Sequence, residues 1–127
     1  MFLSIVIPAY NEQDKIARDI AAAAAYLSSS SDGGELIVVD DGSSDKTLEA
    51  AAKTCEHAAI DARVLTIPHA GKGAAVRNGI IASRGDVVMF ADTGLCISYE
   101  EAGRGIALVR SGRCDIAHGS RYHPESI

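Results

Sequence analysis

Glu35-Leu36-Ile37-Val38-Val39-Asp40-Asp41-Gly42 is the stretch on which the fold turns. Its apolar run has no polar alternation, the pattern of a strand buried on both faces in a parallel sheet with helices on either side. The run stops at two aspartates and a glycine, which mark a turn at the strand's carboxyl end.

Working outward, Leu3-Ser4-Ile5-Val6-Ile7 is a shorter β-branched run closed by Pro8, whose missing N–H is expected to end the strand. Between the two runs, Asn11 is expected to cap a helix with Glu12 and Asp14 in its first turn, and Ile16, Ile20, Ala23, Ala24 and Leu27 trace its apolar stripe. The polar stretch from Ser28 to Gly34 is a loop. Downstream, Ser44 is expected to cap a helix from Asp45 to His57. A third strand from Arg63 to Ile67 ends at Pro68, and Gly71-Lys72-Gly73 opens a helix that runs to Ser83. Asp86 to Ala91 forms a fourth strand ending at Asp92. Ser98 and Glu101 have capping-box spacing before a helix from Tyr99 to Arg110, with Ile106 and Leu108 in its apolar part. Cys114 to Ala117 reads as a fifth strand leading to His118-Gly119-Ser120-Arg121.

Strand and helix therefore alternate, which predicts an α/β, Rossmann-like three-layer sandwich around a mainly parallel sheet of about five strands with right-handed crossovers. A chain of 127 residues, 47% of them apolar, fits one domain over residues 1–127. A net charge of −5 with scattered Lys and Arg excludes a surface that coats nucleic acid, which needs clustered cations to displace counterions. Cys55, Cys96 and Cys114 are odd in number and lack Cys-x-x-Cys spacing, so they are expected to be reduced structural thiols. No segment approaches the roughly 18 to 20 apolar residues of a spanning helix. Nor does Met1 to Ile7 carry the basic start of a signal peptide, and a cytoplasmic location is expected.

In sheets of this kind ligands sit beyond the carboxyl ends of the strands, near the switch in strand order. The residues just past each strand are Pro8-Ala9-Tyr10-Asn11-Glu12, Asp40-Asp41-Gly42-Ser43-Ser44-Asp45, Pro68-His69-Ala70-Gly71-Lys72-Gly73, Asp92-Thr93-Gly94 and Gly119-Ser120-Arg121. Carboxylates, hydroxyls and glycines thus converge on one edge. A carboxylate there can accept hydrogen bonds from ribose hydroxyls or from the N–H groups of a base, and Asp41 is assigned to the base and Glu12 to the ribose. The competing structural reading makes Asp40, Asp41 and Asp45 parts of an Asx-type turn and helix cap. A diphosphate beside these acids needs compensating charge, from a divalent ion on Asp92 or from Lys72, Arg77 or Arg121. Lys72 and Arg77 are equally consistent with solvated helix surface. His69 and His118 lack a paired His or Cys at metal-ligand spacing.

Other phosphate motifs fail. Gly71-Lys72-Gly73-Ala74-Ala75-Val76 lacks the third glycine of the dinucleotide fingerprint and follows the third strand, and no Gly-x-x-x-x-Gly-Lys-Ser/Thr loop occurs. A phosphoacceptor receiver domain shares the length and alternation, but its paired acids belong after the first strand and its lysine at the end of the fifth.

The ordered motifs Ile5-Val6-Ile7-Pro8-Ala9-Tyr10-Asn11-Glu12, Val38-Val39-Asp40-Asp41-Gly42-Ser43-Ser44-Asp45, Gly71-Lys72-Gly73-Ala74-Ala75-Val76-Arg77, Phe90-Ala91-Asp92 and Gly119-Ser120-Arg121 resemble the family 2 glycosyltransferases, nearest to the dolichyl-phosphate and undecaprenyl-phosphate sugar transferases. The resemblance spans nearly the whole chain. It implies a glycosyltransferase A fold, N-terminal part, that binds a UDP- or GDP-linked sugar for inverting transfer to an acceptor such as a polyprenyl phosphate, at the cytoplasmic membrane face. It places Pro8, Tyr10 and Glu12 around the nucleoside, Asp41 at the base, Arg121 near the diphosphate and Asp92 at the catalytic centre, with Ala9, Val39, Asp40, Lys72 and Thr93 also counted as substrate-binding. Asp92 would also open an Asp-x-Asp motif for Mg²⁺ or Mn²⁺. Here Gly94 stands where the second aspartate belongs, so any ion would rest on Asp92 alone. A non-catalytic nucleotide-sugar-binding module is the alternative that this departure leaves open.

Overall fold

The computed structural model describes residues 2–30, 33–94, 99–113 and 115, with side chains 100–102 excepted. Its elements are β1 (Leu3–Ala9), α1 (Ile16–Ser29), β2 (Gly34–Asp40), α2 (Thr47–Glu56), β3 (Asp61–Thr66), α3 (Lys72–Ala82), β4 (Val87–Phe90) and α4 (Tyr99–Arg110). The four strands form one sheet in the order β3-β2-β1-β4, and every pairing is parallel. The expected fifth strand, Cys114 to Ala117, and the Ser98 cap lie outside the described residues, apart from Asp115.

The order reverses once. From β1 to β3 the chain steps in one direction across the sheet, then returns past β1 to β4. Right-handed crossovers make helices on opposite faces the consequence of that reversal. Leu3, Ile5, Ile7, Leu36 and Val38 accordingly pack with Ile16, Ile20, Ala23 and Leu27 of α1 and Ala51 and Cys55 of α2, joined by Ile106 and Val109 of α4. On the other face Val6, Ile37 and Val39 meet Ala75 of α3. Three layers result, as the alternation of elements predicts.

Burial on both faces explains the unbroken apolar run of β2, in which Leu36, Ile37, Val38 and Val39 are all fully buried. The close approach of α3 depends on Gly79, where an added Cβ would lie 2.3 Å from Val6 Cγ1. Cys55 is a buried free thiol whose pKa burial pushes up to about 11, in keeping with a structural role. Cys96 and Cys114 lie outside the described residues.

Several local expectations are corrected. Pro8 does not end β1, which continues to Ala9 with Pro8 opposite Val39. Its nitrogen shares the orientation of the Val6 carbonyl, which faces β4, and the β4 register has ended opposite Val6 by that point. No ladder hydrogen bond is lost there. Asn11 does not cap α1, which starts at Ile16 after Lys15, and Ser44 does not cap α2, which starts at Thr47 after Lys46; neither lysine makes a side-chain cap bond, and at α2 it is Asp45 that takes the first helical N–H. Leu108 is exposed, and Val109 packs into the core in its place. No helix among the described residues is long and apolar enough to cross a membrane.

Candidate functional site

The loops that follow the strands are tied together by side chains. Asn11, at φ 52°, turns its Oδ1 to accept from the Ser44 N–H at 2.9 Å, while its own N–H donates to Ser43 Oγ at 2.9 Å. The Glu12 N–H donates to Thr47 Oγ1 at 2.8 Å, and the Lys46 N–H to Gln13 Oε1 at 3.0 Å. Asp45 Oδ1 accepts from the Thr47 N–H at 2.9 Å and from its hydroxyl; the hydroxyl bond above all holds the Asp45 carboxyl below its ordinary range. Asn11 and Ser44 therefore bridge two loops instead of capping two helices.

Asp41 makes the second tie. Its side chain is buried, and its carboxylate accepts from the Ala70 N–H at 2.8 Å and the Gly71 N–H at 2.9 Å, with His69 Nδ1 at 3.0 Å. Burial works to raise its pKa, but these partners outweigh it and hold the carboxyl below the usual value. The His69 ring in turn stacks on Tyr10, with centroids 4.2 Å apart and planes 22° from parallel. His69, the weakest candidate on spacing alone, thus joins the loop after β3 to the loop after β1. Its signal in the sequence was position just past Pro68, not metal-ligand spacing.

At the third strand end Lys72 Nζ lies 2.5 Å from Asp92 Oδ1, and both side chains are more than half exposed. Lys72 also sits 5.9 Å from the centroid of the Phe90 ring. An exposed pair of this kind contributes about 0 to 1 kcal/mol, so either partner can be re-engaged by a ligand at low cost.

Pro8, Ala9, Tyr10, Glu12, Asp41, Lys72, Asp92 and Thr93 all line one cleft of about 280 Å³, together with His69, Gly71 and Ala75. It opens at the carboxyl ends of β1 and β4, where the strand order reverses, the place that ligands occupy in such sheets. Val39 and Asp40 do not line it: Val39 is in the core against α3, and Asp40 is buried with Oδ1 unpartnered. Arg121 and His118 lie outside the described residues. A larger groove, about 360 Å³, runs between α1 and α2, but its lining centres on Ile20, Ala21, Ala24 and Ala58 and collects none of the strand-end groups.

The cleft does not fit an ion held by the protein alone. Asp92 is paired with Lys72, residue 94 is a glycine, and no three His, Cys, Asp or Glu side chains gather as a metal site among the described residues. At the Asp92 end of the cleft one carboxylate and an ammonium make a poor donor set for Mg²⁺ or Mn²⁺, and the Asp41 carboxylate is already taken by the Ala70 and Gly71 N–H groups.

Residues 4–126 match the model of glycosyl transferase family 2. The chain belongs to that family. It is 36% identical over 135 residues to dolichyl-phosphate beta-glucosyltransferase of Mus musculus, covering 97% of this chain and 42% of the relative. Glycosyltransferase AglD of Haloferax volcanii is 34% identical over 130 residues, covering 98% of this chain and 20% of that protein. Among solved structures, glucosyl-3-phosphoglycerate synthase of Mycobacterium tuberculosis, in complex with Mn²⁺, UDP and glucosyl-3-phosphoglycerate, superposes with a TM-score of 0.64 at 28% identity, over 85% of this chain and 39% of that one. The family is a class of enzymes, and the fold is the glycosyltransferase A fold. The chain spans less than half the length of these relatives.

Proposed function

We propose that this chain binds a UDP- or GDP-linked sugar in the strand-end cleft and serves as the donor half of an inverting glycosyltransferase. The observation that carries this reading is the convergence of Tyr10, Glu12, Asp41, Lys72, Asp92 and Thr93, from separate loops, on one cleft at the reversal of strand order. In this reading the stacked Tyr10 and His69 rings give the nucleoside an aromatic wall beside Pro8 and Ala9. Asp41 faces the base and Glu12 the ribose, while Val39 and Asp40 support the strand end from behind. Lys72 leaves Asp92 for the diphosphate, aided by the N–H groups that open α3 and by Arg121. Asp92 then stands beside the sugar.

The sugar acceptor is a polyprenyl phosphate, at the cytoplasmic membrane face. Two findings support it: the motifs resemble the polyprenyl-phosphate branch, and one relative is a dolichyl-phosphate beta-glucosyltransferase. A phosphate is already ionised near neutral pH, so its oxygen attacks the anomeric carbon as the bond to the nucleoside diphosphate breaks, and no strong general base is required. What the protein contributes is alignment of the two groups and stabilisation of the departing diphosphate. Donor binding is tested by calorimetry with UDP-glucose, UDP-N-acetylglucosamine and GDP-mannose; the absence of heat from all of them would sink the reading. Transfer with retention of the donor's anomeric configuration would overturn the inverting step.

A further inference from the structure

The apolar stripe of α1 contains one acid. Asp19 lies on the same face as Ile16, Ile20 and Ala23, at helical spacing, and is only 2% exposed. Burying a carboxylate is costly, and an apolar residue would serve the packing of that face better. Both of its oxygens lie within hydrogen-bond reach of the Gly94 backbone N–H, at 3.0 and 2.9 Å. Gly94 is two residues beyond Asp92 and has φ 97°, a left-handed conformation that glycine adopts freely and an aspartate does not. The turn after β4 is thus built around a glycine held from beneath by α1. Tyr99, at the start of α4, packs close enough that burial first, and the charge of Asp19 second, push its phenol up to about 12.

We propose that Asp19 is a positioning residue for the donor site: its hydrogen bond to the Gly94 N–H fixes the turn that presents Asp92 and Thr93 to the cleft. In this arrangement the acid missing from the second place of the Asp-x-Asp motif is not simply absent. An acid from α1 holds the backbone at that place, and the glycine is what the clamped geometry requires. The inference rests on the reading of the cleft as a donor site. Two simpler roles for Asp19 are separable from it by experiment: a negative charge favoured by the helix dipole, since the residue lies in the first turn of α1, and a bond that serves the fold alone.

Asn at position 19 keeps a side-chain oxygen for the Gly94 N–H but removes the charge, whereas Ala removes both. For UDP-glucose and GDP-mannose measured by calorimetry, Asp19→Asn is expected to bind within about twofold of wild type and Asp19→Ala about tenfold more weakly, the equivalent of one lost hydrogen bond. Thermal unfolding of the same samples checks that each variant remains folded. Equal weakening in Asn and Ala would assign the effect to charge and overturn the proposal, as would wild-type affinity in a folded Asp19→Ala. Should Ala fail to fold, amide exchange in the free wild-type protein decides: the Gly94 N–H is expected to exchange slowly, and exchange at the open-chain rate overturns the clamp. If wild type binds neither donor while Gly94 is protected, the donor reading fails and the clamp is structural only.

Discussion

Asp41 gives its carboxylate to two backbone N–H groups and an imidazole at once, so a substitution there acts on the loop after β3 before it acts on any ligand. Replacing Asp41 with Ala leaves the Ala70 and Gly71 donors without that acceptor, and is expected to cost about 2 to 4 kcal/mol in urea denaturation as well as weakening donor binding. The pH dependence follows from the direction of the shift. Because the folded carboxyl titrates below its unfolded value of about 3.9, its contribution is fully present above that value and is lost as pH falls through the lower, folded one. Donor affinity should therefore be flat with respect to this group from pH 5 to 8 and decline only in strong acid; a decline beginning near pH 6 would assign the site to another group. Lys72 is the opposite case. Its pair with Asp92 is exposed, so Lys72→Met should change stability by under about 1 kcal/mol while weakening donor binding about tenfold. Wild-type affinity in EDTA should match that in Mn²⁺, and a strict requirement for the ion would show that one carboxylate and the diphosphate are enough to hold it.

Among the elements, α3 packs tightly against the sheet at Gly79. An alanine at Gly79 would gain about 1 kcal/mol in helix propensity, but its Cβ would lie 2.3 Å from Val6 Cγ1 and 3.2 Å from Val39 Cγ2. Both neighbours are fully buried and cannot retreat, so overpacking should win and Gly79→Ala should lose about 1 to 3 kcal/mol in urea denaturation. Unchanged or increased stability would mean that α3 can lift from the sheet. The strands and the existence of each described helix were legible from the sequence because burial on two faces leaves a local signature in β2 and a periodic one in α1. The helix starts were not. Asn11 and Ser44 have the chemistry of caps, yet each is used by a loop 33 residues away, and nothing in either sequence neighbourhood reports that partner. Asp19 was hidden for a related reason, since an acid in a first helical turn is ordinary until the backbone it holds is seen.

Across the whole molecule, chemistry is divided between the two edges of the sheet. The strand-end motifs announced the cleft because they repeat one rule at successive strands, whereas the opposite edge carries a charge network that no motif marks. Glu35, 1% exposed at the start of β2, accepts from Ser4 Oγ at 2.6 Å, from the Arg84 N–H at 2.6 Å and from the Arg84 guanidinium at 3.2 Å, and Arg63 lies 3.5 Å away. Arg84 continues to Asp61 of β3, and the Gly85 N–H donates to Ser4 Oγ, so the network joins the starts of β1, β2 and β3 to the turn that enters β4. Burial alone would raise the Glu35 pKa, but the Ser4 and Arg84 hydrogen bonds and the charge of Arg63 hold it below the ordinary value. A Gln at this position would keep the shape but turn an amide donor toward groups that are themselves donors. With both arginines partly exposed, the loss is expected to be about 2 to 4 kcal/mol, below that of breaking a fully buried pair. The sign of the shift then separates this effect from a packing defect. Stability from ionised Glu35 is complete above its unfolded pKa of about 4.3 and disappears as pH falls through the folded value, so unfolding curves of wild type and Glu35→Gln should differ most near neutrality and converge in strong acid. A gap that persists unchanged at low pH would place the loss in packing and leave the four strand starts held by their backbone ladders alone.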